Sequence, residues 1–220
     1  MYIQGVPRLI DHAAREVEVA EAAWRVVVRD GVRALSVRTV AAEAGLATAS
    51  LRRAFPTQQA LLAFSLELVA RRVRQRIAAL PPATSVREAA SALLAQLLPL
   101  DGERRTEMEV FLLIGSLAHT DPQLRHVHRA AHAELGTACR RVVEGLVGAG
   151  WARGDLDTGF EARRLHALVD GLALHLVRQE EGEAVRWAVE VLEGHLDGLA
   201  AQPSSTAPTR SAPVSKKVSR

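Results

Sequence analysis

Between residues 36 and 58 the chain gathers side chains suited to holding a polyanion: Ser36, Arg38, Thr39, Thr48, Ser50, Arg52, Arg53 and Gln58. A guanidinium offers a planar fork of donors that matches a phosphate, or the O6/N7 edge of guanine, and small hydroxyl or amide groups add neutral hydrogen bonds to phosphate oxygens. Ser36, Arg38 and Thr39 fall at the start of one short apolar repeat, where an N-terminus also attracts phosphate. Thr48, Ser50, Arg52 and Arg53 project from a second, in which Leu51 and Phe55 point inward. A basic face on a small helical unit is often merely solvated, so the weight of these residues depends on the elements that carry them.

A second group of reactive side chains is histidine-rich. His128 and His132 are four apart on one helical face, His126 and His119 lie nearby, and His166, Asp170 and His175 recur at spacings of four and five. Such spacing can serve a metal. Yet no cysteine and no Glu-bearing zinc motif accompanies them, and a solvated or pocket-lining helix face accounts for them more simply. The chain holds one cysteine, Cys139, so neither an internal disulfide nor a site of several thiolates can form, and the expectation is a small core hydrophobe. No spacing matches a Ser-His-Asp set or a phosphate-binding glycine loop. Catalysis, a metal and a cofactor are therefore not expected.

The elements that must position these residues read as helices throughout. Of 220 residues, 48% are hydrophobic and only 4% aromatic, with Ala and Leu abundant, which favours helix on helix and an all-α fold. Val17, Ala20, Trp24, Val27 and Val28 recur on one face after Asp11, a candidate cap, and Gly31 stops that helix. Ser36 caps a short helix ended by Gly45. A third runs from about Thr48 to Phe55, where Pro56 halts it. Two short helices around a tight turn, braced by the Trp24 helix, make a helix-turn-helix, whose second helix fits the major groove of B-DNA. A long helix from Gln58 to about Leu80 follows, then helices near 85–98, 104–119, 122–148, 158–179 and 182–199, divided by Pro and Gly. Trp151 is expected to anchor the turn after Gly150, and Trp187 to pack inside the last helical pair.

The expected organisation is a DNA-binding domain over 11–57, with the helix-turn-helix at 36–55, a ligand-binding and dimerisation domain over 58–200, and a disordered basic tail over 201–220. That tail holds Arg210, Lys216, Lys217 and Arg220 with no acid, so the net charge of +3 leaves the remainder near −1. Overall charge is then a poor guide to DNA binding, and particular residues have to carry it. Residues 1–11 lack the pattern of an export signal, and no apolar run reaches the length of a membrane span, so a soluble, cytoplasmic protein is expected.

The run from Val17 to Leu62 resembles the N-terminal domain of the TetR family of regulators, through Ala22-Ala23, Gly31, Leu35-Ser36-Val37-Arg38, Val40-Ala41, Glu43-Ala44-Gly45, Leu51, Phe55-Pro56 and Leu61-Leu62. Where that family commonly has Ser-Lys-Gly-Thr-Leu-Tyr, this chain has Ala47-Thr48-Ala49-Ser50-Leu51-Arg52, and Thr57-Gln58 replaces a Ser-Lys after the Phe-Pro. By the resemblance, Arg52 takes the backbone-contacting place of the tyrosine, and Gln58 supplies a neutral contact. Further on, Leu98-Pro99-Leu100-Asp101 with Arg104-Arg105 and Glu107, and Leu168-Val169-Asp170-Gly171-Leu172-Ala173-Leu174, are similar to the BetI-like branch. The resemblance implies a homodimer that binds a double-stranded DNA operator and is released by a small-molecule effector of unknown identity. A ligand sensor or scaffold whose DNA module has decayed is the competing reading, kept open by the missing tyrosine and lysine; a helical metalloenzyme built on the histidines is a third.

Overall fold

A computed structural model describes residues 12–180 and 182–201. The Asp11 cap and the tail beyond Ala201 lie outside the described residues. Among those described the order is α1 (His12–Asp30), a short 3-10 turn (Val32–Ala34), α2 (Val37–Glu43), α3 (Thr48–Ala54), α4 (Gln58–Ala78), α5 (Val86–Ala95), α6 (Gly102–Leu117), α7 (Pro122–Gly148), α8 (Thr158–Arg178) and α9 (Arg186–Asp197). The chain is all-helical there, apart from one isolated bridge between Ala152 and Ala200.

Helix starts follow local chemistry. Ser36, Thr57, Ser85, Asp101, Asp121 and Asp157 each accept a hydrogen bond from a backbone N–H in the first turn of the helix they precede. Asp101 starts α6 two residues earlier than the apolar pattern suggests. At the other end of α5, the backbone tightens before Pro99: Leu97 and Leu98 donate three residues back, to Leu94 and Ala95. Four apolar residues at 97–100 thereby leave the helix while Leu98 stays buried. The final helix begins at Arg186, not near 182, because Gly182 takes φ +91° and Val185 offers no side-chain cap.

Two apolar cores result. The first joins Val19, Ala23, Trp24 and Val27 of α1 to Val40, Ala41, Leu51 and Phe55, and continues without a break into Leu61, Leu62, Leu66 and Val69 of α4, Val110 and Ile114 of α6, and Leu124 of α7. The second gathers Leu94, Leu98, Cys139, Val143, Leu146, Leu165, Val169, Leu172, Leu176, Leu192 and Leu196 from α5, α7, α8 and α9. Helix α7 serves both, its first turn in one core and its last half in the other. Cys139 is fully buried, with burial pushing its thiol up to about 12, so it is a packed hydrophobe with no thiolate at neutral pH. Trp151 anchors the turn after α7: Gly150 at φ +70° allows Trp151 to donate back to Leu146, and Arg87 stacks over the indole at 5.5 Å.

Charged groups tie α4 to its neighbours. Glu107 of α6, only 2% exposed, meets Arg76 of α4 at 2.8 Å and lies 3.8 Å from Arg72. Arg72 also pairs with Glu21 of α1, sits 3.3 Å from Glu103, and lies over the Trp24 ring at 4.9 Å. Arg105 ties α6 to the end of α8: it donates to the carbonyls of Leu176, Val177 and Gln179, adding to the Gln179 N–H that Leu176 already accepts. The Arg104-Arg105 pair seen in the sequence thus has a structural task.

Candidate nucleic-acid interface

The turn between α2 and α3 is built by its backbone. Gly45 adopts φ +65°, its N–H donates to Ala42, and the Leu46 N–H reaches back to Ala41 at 2.8 Å. This double closure satisfies the last carbonyls of α2 and drops Leu46 onto the core. Helix α3 has only seven residues and no side-chain cap, so it is held by Leu51 and Phe55, the latter packed on Phe64 of α4 at 5.3 Å. With those two inward, Ser50, Arg52 and Arg53 are exposed and Thr48 is half-buried.

At the start of α2, Ser36 and Thr39 form a reciprocal cap. Ser36 Oγ accepts from the Thr39 N–H at 3.1 Å, and Thr39 Oγ1 accepts from the Ser36 N–H at 2.8 Å. The Thr39 hydroxyl donates to the Ala34 carbonyl at 2.9 Å, which uses its one proton. Ser36 Oγ also lies 3.0 Å from Thr39 Oγ1, so with the Thr39 proton committed it is the Ser36 hydroxyl that donates across the pair. Arg38 stands exposed beside it, and Gln58, half-buried, opens α4 directly after its cap Thr57.

One acidic residue organises the electrostatics. Glu43, at the end of α2, receives Arg25 at 2.8 Å and Arg29 at 3.0 Å from α1. The hydrogen bond from Arg25, with that from Arg29, holds its carboxyl below the usual carboxylate range. Asp30 also pairs with Arg29 at 2.8 Å, so Glu43 and Asp30 together neutralise these two arginines of α1, whereas Arg38, Arg52 and Arg53 meet no carboxylate among the described residues. The face made by α2 and α3 therefore carries three uncompensated guanidiniums, two further hydroxyls at Ser36 and Ser50, and the amide of Gln58. Its charge favours an anionic partner, and a helix of this width enters the major groove with its neighbour across the backbone.

The structure brings all eight residues singled out in the sequence onto α2, α3 and the first turn of α4. Sequence reasoning missed the Glu43 clamp and the cap at Thr57. A Thr three residues before Ala60, next to a proline, was a usable signal for the cap; nothing local announces the clamp, which joins residues 14 and 18 apart.

Comparison with known proteins agrees with this geometry. Residues 19–74 match the family model for bacterial regulatory proteins of the tetR family, and residues 86–201 that for the C-terminal domain of BetI-type transcriptional repressors. The chain belongs to the TetR family. It is 35% identical over 171 residues to the HTH-type transcriptional regulator PksA of Bacillus subtilis, covering 77% of this chain and 82% of PksA. Among solved structures, a transcriptional regulator from Rhodococcus sp. Rha1 superposes with a TM-score of 0.72 at 26% identity, over 84% of this chain and 95% of that one. A transcriptional regulator from Saccharomonospora viridis in complex with choline shares the fold, with a TM-score of 0.75 at 24% identity over 84% and 97% of the two chains. As a TetR-family member the protein is a DNA-binding transcriptional regulator, and no helix among the described residues is long and apolar enough to cross a membrane.

Two clefts lie along α7. One, of about 310 Å³, lies between α7 and α8 and is lined by His132, Gly136, Thr137, Arg140, Arg163 and His166. Another, of about 170 Å³, lies between α4 and α7 against Leu66, Ala70, Arg74, His126, Val127 and Glu134. Both have polar rims, unlike the apolar interior that helix patterning suggests for an effector.

Proposed function

We propose that the protein represses transcription as a homodimer, in the cytoplasm where operator DNA lies, and that a small molecule releases it. The proposed DNA-binding domain over residues 11–57 presents Ser36, Arg38, Thr48, Ser50, Arg52 and Arg53, joined by Gln58 at the start of α4, to successive major grooves of a partly palindromic site; Thr39 holds Ser36 in place. The observation that carries the reading is the α2–α3 face, where three guanidiniums stand free while Glu43 and Asp30 neutralise Arg25 and Arg29 behind them. In this arrangement Arg38 reads a base and Arg52 grips phosphate.

Dimerisation is supported by an apolar stripe in the proposed ligand-binding and dimerisation domain over 58–200. Phe160, Ala167 and Leu174 of α8 and Val191 of α9 are exposed, with Gly171 and Gly194 among them allowing close approach. Two copies of the α8–α9 pair bury this stripe as a four-helix bundle. Helix α4 connects the halves, being packed on α1, α6 and α7, so a ligand that favours one setting of α6 and α7 changes the separation of the two heads.

Selection of bound fragments from a random DNA pool, with purified full-length protein, tests the reading. A two-fold symmetric consensus is expected, bound more weakly and with one position of each half-site relaxed in the Arg38→Ala/Arg52→Ala double variant. Recovery of no consensus from a folded dimer would overturn the DNA-binding assignment and favour a sensor with a decayed head.

A further inference from the structure

The histidines pair differently in space from the way they pair in sequence. His128, which shares a helical face with His132, turns away: its ring stacks on Phe111 of α6 at 4.8 Å and covers Gly115 so closely that a Cβ there would meet it at 2.6 Å. His132 instead reaches across from α7 to α8. Its ring centre is 4.4 Å from that of His166, and its Nδ1 is 4.0 Å from Asp170 Oδ2, which lies 3.5 Å from His166 Nε2. One ligand atom from each of the three falls within 4.8 Å of the other two.

We propose that His132, His166 and Asp170 bind a divalent transition ion of the nitrogen-preferring kind, such as Zn²⁺, Co²⁺ or Ni²⁺. Two imidazoles and a carboxylate are a donor set such ions accept, and Mg²⁺ or Ca²⁺, which demand oxygen, do not. Bonds of about 2.1 Å in a tetrahedron set neighbouring ligands about 3.4 Å apart, so separations of 3.5 and 4.0 Å, with no pair beyond 4.8 Å, close by side-chain movements of about 1 Å. The architecture also fits. His166 and Asp170 are four apart on α8, hence on one face, and the third ligand comes from the helix packed against it. Gly136, one turn beyond His132, leaves room for the His166 ring, since a Cβ would come within 3.3 Å of its Nδ1. His166 Nε2 is shielded from solvent and makes no hydrogen bond, which leaves a buried nitrogen lone pair or N–H without a partner.

Two of the three ligands, His132 and His166, line the 310 Å³ cleft, and its Arg140 and Arg163 suit an anionic fourth donor, a carboxylate or chloride. The site stands apart from the regulatory reading: it rests on α7 and α8 alone and holds whether or not the head binds DNA.

Tag-free full-length protein, stripped with chelator and dialysed, is titrated with Co²⁺ while visible absorbance and heat are recorded. One ion per chain and ligand-field bands of a nitrogen- and oxygen-bound ion are expected. His132→Ala and His166→Ala should each weaken binding by roughly tenfold or more, and Asp170→Asn measurably, while His126→Ala, on an exposed histidine of the same helix, leaves it unchanged. If the half-buried His166 proves necessary for folding, Asp170→Asn and His132→Ala, both at exposed side chains, carry the comparison. Failure to bind Co²⁺ with at least micromolar affinity would overturn the proposal, as would equal binding by wild type and the His132 and Asp170 variants.

Discussion

Removing Glu107 should reveal how α6 is fastened to α4. Its carboxylate is 2% exposed and faces Arg76 at 2.8 Å, with Arg72 at 3.8 Å. Breaking a fully buried pair by deleting one partner costs about 3–5 kcal/mol, because the remaining charge is stranded. The two deletions here are unequal. After Glu107→Ala, Arg72 still has Glu21 and Glu103, and Arg76, a quarter exposed, regains water, so we expect a loss of about 1–2 kcal/mol. After Arg76→Ala the stranded group is the buried carboxylate, relieved only by Arg72, and about 3 kcal/mol is expected. For a chain of this length these correspond to melting shifts of roughly 2–8 °C and 6–12 °C. The double variant strands nothing and should be no less stable than Arg76→Ala. Thermal and urea unfolding of the four proteins measures the cycle. Costs that add within about 0.5 kcal/mol, or a Glu107→Ala loss exceeding that of Arg76→Ala, would refute the argument.

Arg52→Ala should weaken binding to all operator variants alike and lower the salt slope by about one per contact, about two for a dimer, whereas Arg38→Ala should cost about 1–3 kcal/mol per contact and relax one position of each half-site; fluorescence anisotropy at several salt concentrations separates them. Gly45→Ala meets no atom within 4 Å, so its cost is backbone conformation alone, about 1–2 kcal/mol by chemical denaturation. Leu174→Glu with Val191→Glu places charge on the proposed α8–α9 seam, and sedimentation should show monomer where the wild type is dimeric. Burial, aided by Arg164, holds the His195 imidazole below its ordinary 6.5 despite Glu161. Protonation therefore favours the unfolded chain, so the imidazole leaves stability intact above about pH 6.5 and erodes it as pH falls through the lower folded value. His195→Leu should flatten the acid limb of the melting curve.

What could be read from the sequence was local. The stop at Gly45, the cap at Ser36, the break at Pro56 and the inward pair Leu51 and Phe55 all depend on residues within one or two turns, and each is where patterning puts it. Helix ends shifted where a second signal competed: Asp101 draws α6 earlier, and Gly182 delays α9. The remainder was illegible for a physical reason. Glu43 with Arg25 and Arg29, Glu107 with Arg76, and His132 with His166 and Asp170 join residues 14 to 38 positions apart, and only packing decides which of many charges meet. Sequence spacing joined His128 to His132; helix packing gave each a different neighbour.

The first core has one more implication. Val19, Trp24, Leu51 and Phe55 share it with Leu61, Leu66, Val110 and Ile114, so no solvent-filled seam separates the head from α4 and α6. In hydrogen exchange the amides of α1 and α4 should then open together as one cooperative unit, and those of α8 and α9 as another, with α7 recording both. A peptide ending at residue 57 would lack half of its own interior and should not fold. Anyone grafting this DNA specificity onto another regulator would need to carry α4 and the facing turns of α6 along with it, because the recognition helix is borrowed stability: seven residues whose order is supplied by helices far downstream.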